Sequence, residues 1–312
     1  MSPIESSVSG FAERSAALLR AHRARPGLWR RGLRASWLLR WLGSQLFAAR
    51  WGPPVAPPIP DPSPGECTIT FLGHASVLVR YAGARLLFDP CFATSIRSMR
   101  RRRPAVLPAG TIEDLDAVLV SHAHPDRLHH RSLELLERRL TLIVPAGTDG
   151  ADALGFVHVA ELEPWQQMRV GAITVTAVPA QHTVGVLGRG LALGYVIQSD
   201  GPTVYFAGDT GYQPAFAEIG HRFRPAVALL PIAGYRPLGM RQEHLSPLDA
   251  LFAREDLGNP LLVPIAHSAF PTGYEPIEEP IDWLREEVAL RGLDDRVAIL
   301  EPGASIVVGQ RR

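Results

Sequence analysis

From Cys67 onward the chain breaks into short apolar runs: C-T-I-T-F-L (67–72), S-V-L-V-R-Y (76–81), R-L-L-F (85–88), A-V-L-V (117–120), L-I-V-P (142–145), I-T-V-T-A-V (173–178), T-V-Y-F-A (203–207), A-V-A-L-L-P (226–231) and L-L-V-P-I (261–265). Runs this short and this rich in β-branched residues read as strands rather than helices. Helical stretches lie between some of them, at 130–139, 246–255 and 279–291. The first three runs follow one another with no helix between. That favours two sheets packed face to face with helices outside over a doubly wound parallel sheet, and the fold class is α+β.

The residues before 66 differ in kind. Residues 14–50 carry nine arginines and no acid, interleaved with Leu28, Trp29, Leu33, Trp37, Leu38, Trp41, Leu42 and Leu46. From Leu28 to Leu46 the apolar residues recur at three-to-five-residue spacing, as in an amphipathic helix. No window reaches the ~18 apolar residues of a membrane span, and no cleavage site follows. A basic helix of this kind can lie on an anionic membrane surface or pack on its own domain. Seven prolines then fall within residues 51–65, a density that excludes helix and favours an extended spacer. The chain thus divides into a basic arm (1–50), a proline-rich linker (51–65) and one domain (66–312).

Composition narrows the function classes. With 46% hydrophobic residues in 312, the chain can bury a large core. Its net charge of +1 makes no electrostatic case for nucleic acid, and none is expected as a partner. Two cysteines, Cys67 and Cys91, are too few for a disulfide scaffold and point to a reducing, cytoplasmic setting, with attachment to the inner face of the membrane open through the arm.

The chemistry sits at strand ends. S-H-A-H-P-D (121–126) follows one run and places His122, His124 and Asp126 at alternate positions. His182 in P-A-Q-H, Asp209 in F-A-G-D-T-G-Y and His267 in P-I-A-H-S each follow another. Imidazoles and carboxylates collected this way are a donor set suited to zinc. A lone histidine past a strand would be an ordinary core or surface residue; four strand ends carrying such groups are not.

These residues resemble the metallo-β-lactamase superfamily, whose signature is H-x-H-x-D-H with later His, Asp and His ligands. T-F-L-G-H-A-S-V-L-V (70–79), L-F-D-P (87–90), V-L-V-S-H-A-H-P-D (118–126), Y-F-A-G-D-T-G-Y-Q-P (205–214), P-I-A-G-Y-R-P (231–237) and I-A-H-S-A-F (265–270) are similar to the branch that includes N-acylphosphatidylethanolamine-hydrolysing phospholipase D, with L-ascorbate-6-phosphate lactonases more distant. The resemblance covers roughly residues 67–308. It implies a four-layer αββα sandwich with a metal site at one edge. By motif, His122, His124 and His182 would bind a first zinc, and Asp209 would bridge to a second held by Asp126 and His267. The metals would activate water for attack on phosphorus or carbonyl carbon and offset the developing charge. His244 falls where this branch has a histidine near the substrate, for proton transfer or phosphate binding, or else it is a histidine of a helix-capping segment. His74 is expected to partner a ligand rather than be one.

One residue departs from the pattern. Position 127, a histidine ligand of the second metal in the superfamily, is arginine here, and a guanidinium cannot ligate. At ~5 Å from a dication in an effective dielectric of ~20, the repulsion is on the order of several kcal/mol. One zinc is expected firmly, and a second is in doubt. His129 and His130 are candidates to replace the lost donor. Alternatively, Arg127 pairs with Asp126 or takes a substrate phosphate bidentately.

The resemblance points to a phosphodiester substrate on a phospholipid. The arginine run R-S-M-R-R-R-R (97–103) is a candidate for head-group phosphate or a solvated loop. The rival readings are a lactonase or small phosphodiester hydrolase, and a metal-poor binding protein that lost turnover through Arg127.

Overall fold

The computed structural model describes residues 3–24, 57–184 and 190–309. Two sheets form its centre. The first has the order β15-β1-β2-β3-β6-β7-β8, from β1 (Glu66–Gly73), β2 (Ser76–Tyr81), β3 (Ala84–Phe88), β6 (Ala117–Leu119), β7 (Thr141–Pro145), β8 (His158–Leu162) and β15 (Ser305–Gly309). The second has the order β14-β13-β12-β11-β10-β9, from β9 (Gln167–Val170), β10 (Ile173–Pro179), β11 (Leu193–Gln198), β12 (Val204–Phe206), β13 (Val227–Pro231) and β14 (Leu261–Ile265). A small hairpin of β4 (Ser95–Ile96) and β5 (Met99–Arg100) stands apart.

The apolar runs lack alternation because both faces of each strand are covered. In the first sheet, Ile69, Val77, Val79, Leu86 and Leu119 join the core between the sheets. Leu72, Leu78, Leu87 and Val118, out of phase with them, join an outer cluster with Leu128, Leu133 and Phe156. In the second sheet Val175, Tyr195, Ile197 and Phe206 face inward. Val196, Tyr205 and Ala228 meet the helices α3 (Ala215–Phe223), α4 (Pro247–Asp256) and α5 (Glu279–Arg291). The period-two switch of partners builds the sandwich from strands that read as uniformly apolar.

Direction then positions the site. β3 and β6 are parallel neighbours in the first sheet. In the second, β12, β13 and β14 are parallel, and β10 shares their direction because it is antiparallel to β11, which is antiparallel to β12. The segments leaving β6, β10, β12 and β14 carry the histidines and aspartates singled out above.

Besides the short β4 and β5, four strands of the two sheets were not legible as apolar runs. β15 and β8 are the two edges of the first sheet and β9 is an edge of the second, with exposed or half-exposed alternate residues. β11 is central and follows G-R-G (188–190). The expected helix 130–139 narrows to α2 (His130–Leu133), because the amides of Leu135 and Leu136 donate to Ser132 O and Leu133 O, three residues back, and turn the chain toward β7.

The amphipathic stretch 28–46 lies outside the described residues. Upstream of it, α1 (Pro3–Ala24) packs on the domain. Leu18 is 1% exposed within the cluster of α3, α4 and α5, Arg14 Nη1 bonds Asp256 Oδ1 at 2.8 Å, and His22 Nε2 lies 2.8 Å from Ser246 Oγ. Of the linker, Pro60 O accepts from Thr68 Oγ1 at 2.9 Å, and Asp61 pairs with Arg80. No helix among the described residues is long and apolar enough to cross a membrane.

If α1 is seated through Leu18, Leu18→Ala should lower unfolding stability by about 2–5 kcal/mol, as expected for a buried leucine. Urea unfolding of the full chain measures this, and an unchanged midpoint would mean that α1 is not held there.

Candidate metal centre

His122 and His124 leave β6 on one side of the chain, and His182 leaves β10 to meet them. His122 Nε2 lies 3.0 Å from His124 Nδ1, and His182 Nε2 lies 3.1 Å from the same atom. Ligand atoms of all three fall within 4.8 Å of one another, the one such group among the described residues.

Their outer nitrogens fix the tautomers. His124 Nε2–H donates to Val184 O at 3.0 Å, and His182 Nδ1–H donates to Glu243 O at 3.1 Å, since a carbonyl oxygen can only accept. For His122 the same is done through a relay. Asp89 accepts from Ser121 N and Ser121 Oγ, both at 2.7 Å, and in its ionised form this leaves Ser121 Oγ to accept from His122 Nδ1–H at 2.9 Å. Three inner nitrogens therefore present lone pairs to a common point. Burial pushes the pKa of His122 well down and lowers that of His124, so proton uptake cannot easily relieve their repulsion. A divalent cation can, and the oriented imidazole set fits one.

Two glycines let the loops close in. A Cβ on Gly208, which has φ +64°, would stand 2.6 Å from Ser121 Cβ, and one on Gly211 would stand 2.1 Å from Gln242 O. Asp209, between them, is brought beside the histidines with Oδ2 3.7 Å from His122 Nε2. His244 stacks edge-on against His182, with ring centroids 4.9 Å apart. Burial lowers its pKa, opposed by Asp209, so its imidazole is neutral near pH 7.

The second position holds Arg127. Its side chain is 1% exposed. Nη1 donates to Asp126 Oδ2 at 2.5 Å and Nη2 to Asp209 Oδ1 at 2.7 Å, while Nε forms an ion pair with Asp89 Oδ2 at 3.4 Å. Nη1 also contacts His74 Nε2, which lies 2.8 Å from Asp126 Oδ2, so His74 does partner that carboxylate. Burial alone would raise the pKa values of Asp126 and Asp209, but Arg127 together with the neighbouring histidines outweighs it and holds both well below the usual carboxylate range. Asp89, with weaker compensation, is pushed up by burial to about 7. Of the two roles weighed for Arg127, pairing with Asp126 is the arrangement present.

The remaining second-site residues do not gather around an ion. His267 is buried, its ring stacks on Phe71 at 5.4 Å, Nδ1 lies 3.0 Å from Ser268 Oγ, and Nε2 has no hydrogen-bond partner among the described residues. His129 caps α2, its Nδ1 accepting from Ser132 N at 3.2 Å, and His130 is exposed. The residues at 126, 127, 209 and 267 therefore do not fit a second metal ion as they stand.

Two arginines of the run 97–103 are tied into the fold, while Arg97 and Arg100 are exposed. Arg101 donates to Ala93 O and Cys91 O and lies over the Phe270 ring, and Arg103 pairs with Glu301 and Glu278. Asp89 and Ser121 were missed as site residues; their signal was L-F-D-P and the serine before His122, whose meeting depends on the β3–β6 pairing.

Known proteins agree with this architecture. A family model described as Beta-lactamase superfamily domain matches residues 84–267. A UPF0173 metal-dependent hydrolase of Methanopyrus kandleri is 31% identical over 245 residues, which are 76% of this chain and 98% of that protein. An uncharacterized protein of Mycobacterium tuberculosis is 30% identical over 271 residues, 79% of this chain and 72% of its own. Among solved structures, isothiocyanate hydrolase from Delia radicum gut bacteria superposes with a TM-score of 0.65 at 21% identity, over 78% of this chain and 100% of that one, a likeness of fold. Matched by the family model over more than half its length and by a relative 31% identical over 76% of it, the chain belongs to the metallo-β-lactamase superfamily of metal-dependent hydrolases.

Proposed function

We propose that the protein is a zinc-dependent phosphodiesterase of phospholipase D type, acting on diesters such as N-acylphosphatidylethanolamine. The observation that carries the metal is the convergence of three oriented imidazole nitrogens, a preferred set for zinc. A zinc ion there would supply a Lewis acid that activates water and offsets charge on the attacked group.

The surrounding residues do the rest. Ser121, Val184 O and Glu243 O hold the rings in orientation. Asp209, with one oxygen toward the histidines and the other on Arg127, is placed to orient water. His244, neutral and beside His182, is placed to take a proton from the attacking water and then return it to the leaving oxygen. Charge favours a diester over a monoester. Asp126 and Asp209 together exceed Arg127 by one negative charge, so a bound dication would leave these groups at a net charge of about +1, a match for a monoanion rather than a dianion.

The lipid form of the substrate rests on the motif resemblance and the basic residues of the arm. The seating of α1 and the internal pairing of Arg101 and Arg103 give it no added support. A lactonase acting on a neutral ester is the second reading, favoured by the same absorption of Arg127's charge.

Zinc-loaded protein should hydrolyse bis-p-nitrophenyl phosphate and N-acylphosphatidylethanolamine in vesicles, and p-nitrophenyl phosphate more slowly. Turnover of a simple lactone alone would replace the diester reading with the lactonase. His182→Ala should lose zinc and activity together, whereas His244→Ala should keep its zinc and lose about 10²–10⁴-fold in kcat. Metal analysis alongside the assay decides, and zinc lost from His244→Ala but kept in His182→Ala would overturn the ligand assignment.

A further inference from the structure

We infer that Arg127 is a built-in cation standing where a second metal ion would be held, so that the hydrolase works with one exchangeable metal ion. The inference rests on the three-histidine site as the position of that ion, and it is carried by how the carboxylates are used.

Asp209 reaches two ways. Oδ1 accepts from Arg127 Nη2 at 2.7 Å, and Oδ2 turns to His122 Nε2 at 3.7 Å. A carboxylate so placed spans two positive centres, one at the histidines and one at position 127. The second centre is completed by Asp126 Oδ2 on Nη1 and by Asp89 Oδ2 beside Nε. A guanidinium directs its N–H groups outward in a fixed plane, and here Nη1 and Nη2 each donate to a carboxylate from a different strand end, while Nε faces Asp89 Oδ2 at 3.4 Å as an ion pair without a hydrogen bond. It stays charged throughout the working pH range and cannot dissociate as an ion does.

A divalent ion would need the same oxygens of Asp126 and Asp209. Binding it would require Arg127 to surrender both bonds and leave a position in which it is 1% exposed. Its departure would also uncover Asp89, which lies in the core end of the same cluster and orients His122 through Ser121. The guanidinium therefore serves the first site twice, by holding Asp209 toward it and by keeping Asp89 in place behind it. Arg127 is a positioning residue in this sense, with no group of its own on substrate.

Cobalt(II) titration of the metal-free full chain, followed by visible absorption and by metal analysis after gel filtration, tests this. Wild-type protein should saturate at about one equivalent per chain, and activity should saturate at the same point. Arg127→Lys, which keeps a charge and adds no donor near neutral pH, should also bind one. Arg127→His, which adds a donor and removes a permanent charge, should bind two in separable steps. Two tight equivalents in the wild type would overturn the inference while leaving the three-histidine reading intact, and this needs no variant. A single equivalent in folded Arg127→His would likewise show that the guanidinium is not what closes the second position. Failure of the wild type to bind cobalt would defeat the three-histidine reading, and this inference with it.

Discussion

The guanidinium of Arg127 is the joint on which the site end of the fold depends. It collects Asp89 from the end of β3, Asp126 from the segment after β6 and Asp209 from the end of β12, so it ties the two sheets together at the edge where their loops meet. Three carboxylates converging in a buried space would repel one another and lose hydration; one permanent cation makes the arrangement stable enough to exist. Removing one partner from a buried cluster of this kind typically costs about 3–5 kcal/mol, because the charges left behind have no solvent to turn to.

From that joint the histidine site is built outward. Asp89 sets Ser121, Ser121 sets the tautomer of His122, and two backbone carbonyls set those of His124 and His182. Glu243 O belongs to the same short segment as His244, and that segment leads into Ser246, which caps α4 and touches His22 of α1. The N-terminal helix thus reaches to within a few residues of His244, through Ser246 and through Asp249, which also pairs with Arg241. Structure that reads as an appendage in the sequence is in contact with the segment that shapes the site.

Much of the fold was legible because its central strands are buried on both faces and leave continuous apolar runs. Edge strands such as β8 and β15 need be apolar on one face at most, and a run of five half-exposed residues gives little signal. The histidines were legible because four strand ends carried metal-type donors. Arg127 was legible only as a departure from a pattern: its neighbour in sequence, Asp126, could be guessed as a partner, but Asp89 and Asp209 lie 38 and 82 positions away and meet it only through the sheet pairing. The partners of the arginines at 101 and 103 were not legible either: Arg101 donates to the carbonyls of Ala93 and Cys91, and Arg103 pairs with Glu278 and Glu301, far along the chain.

With Arg127 between Asp126 and Asp209, the second metal position is inferred to be held by protein rather than by an ion. Anomalous scattering from a crystal of zinc-loaded wild-type protein, collected at the zinc edge, tests it most directly. One peak is predicted, bounded by the inner nitrogens of His122, His124 and His182, with the Arg127 guanidinium still between Asp126 and Asp209. A second peak of comparable height beside Asp126 and His267, with Arg127 turned away, would contradict it.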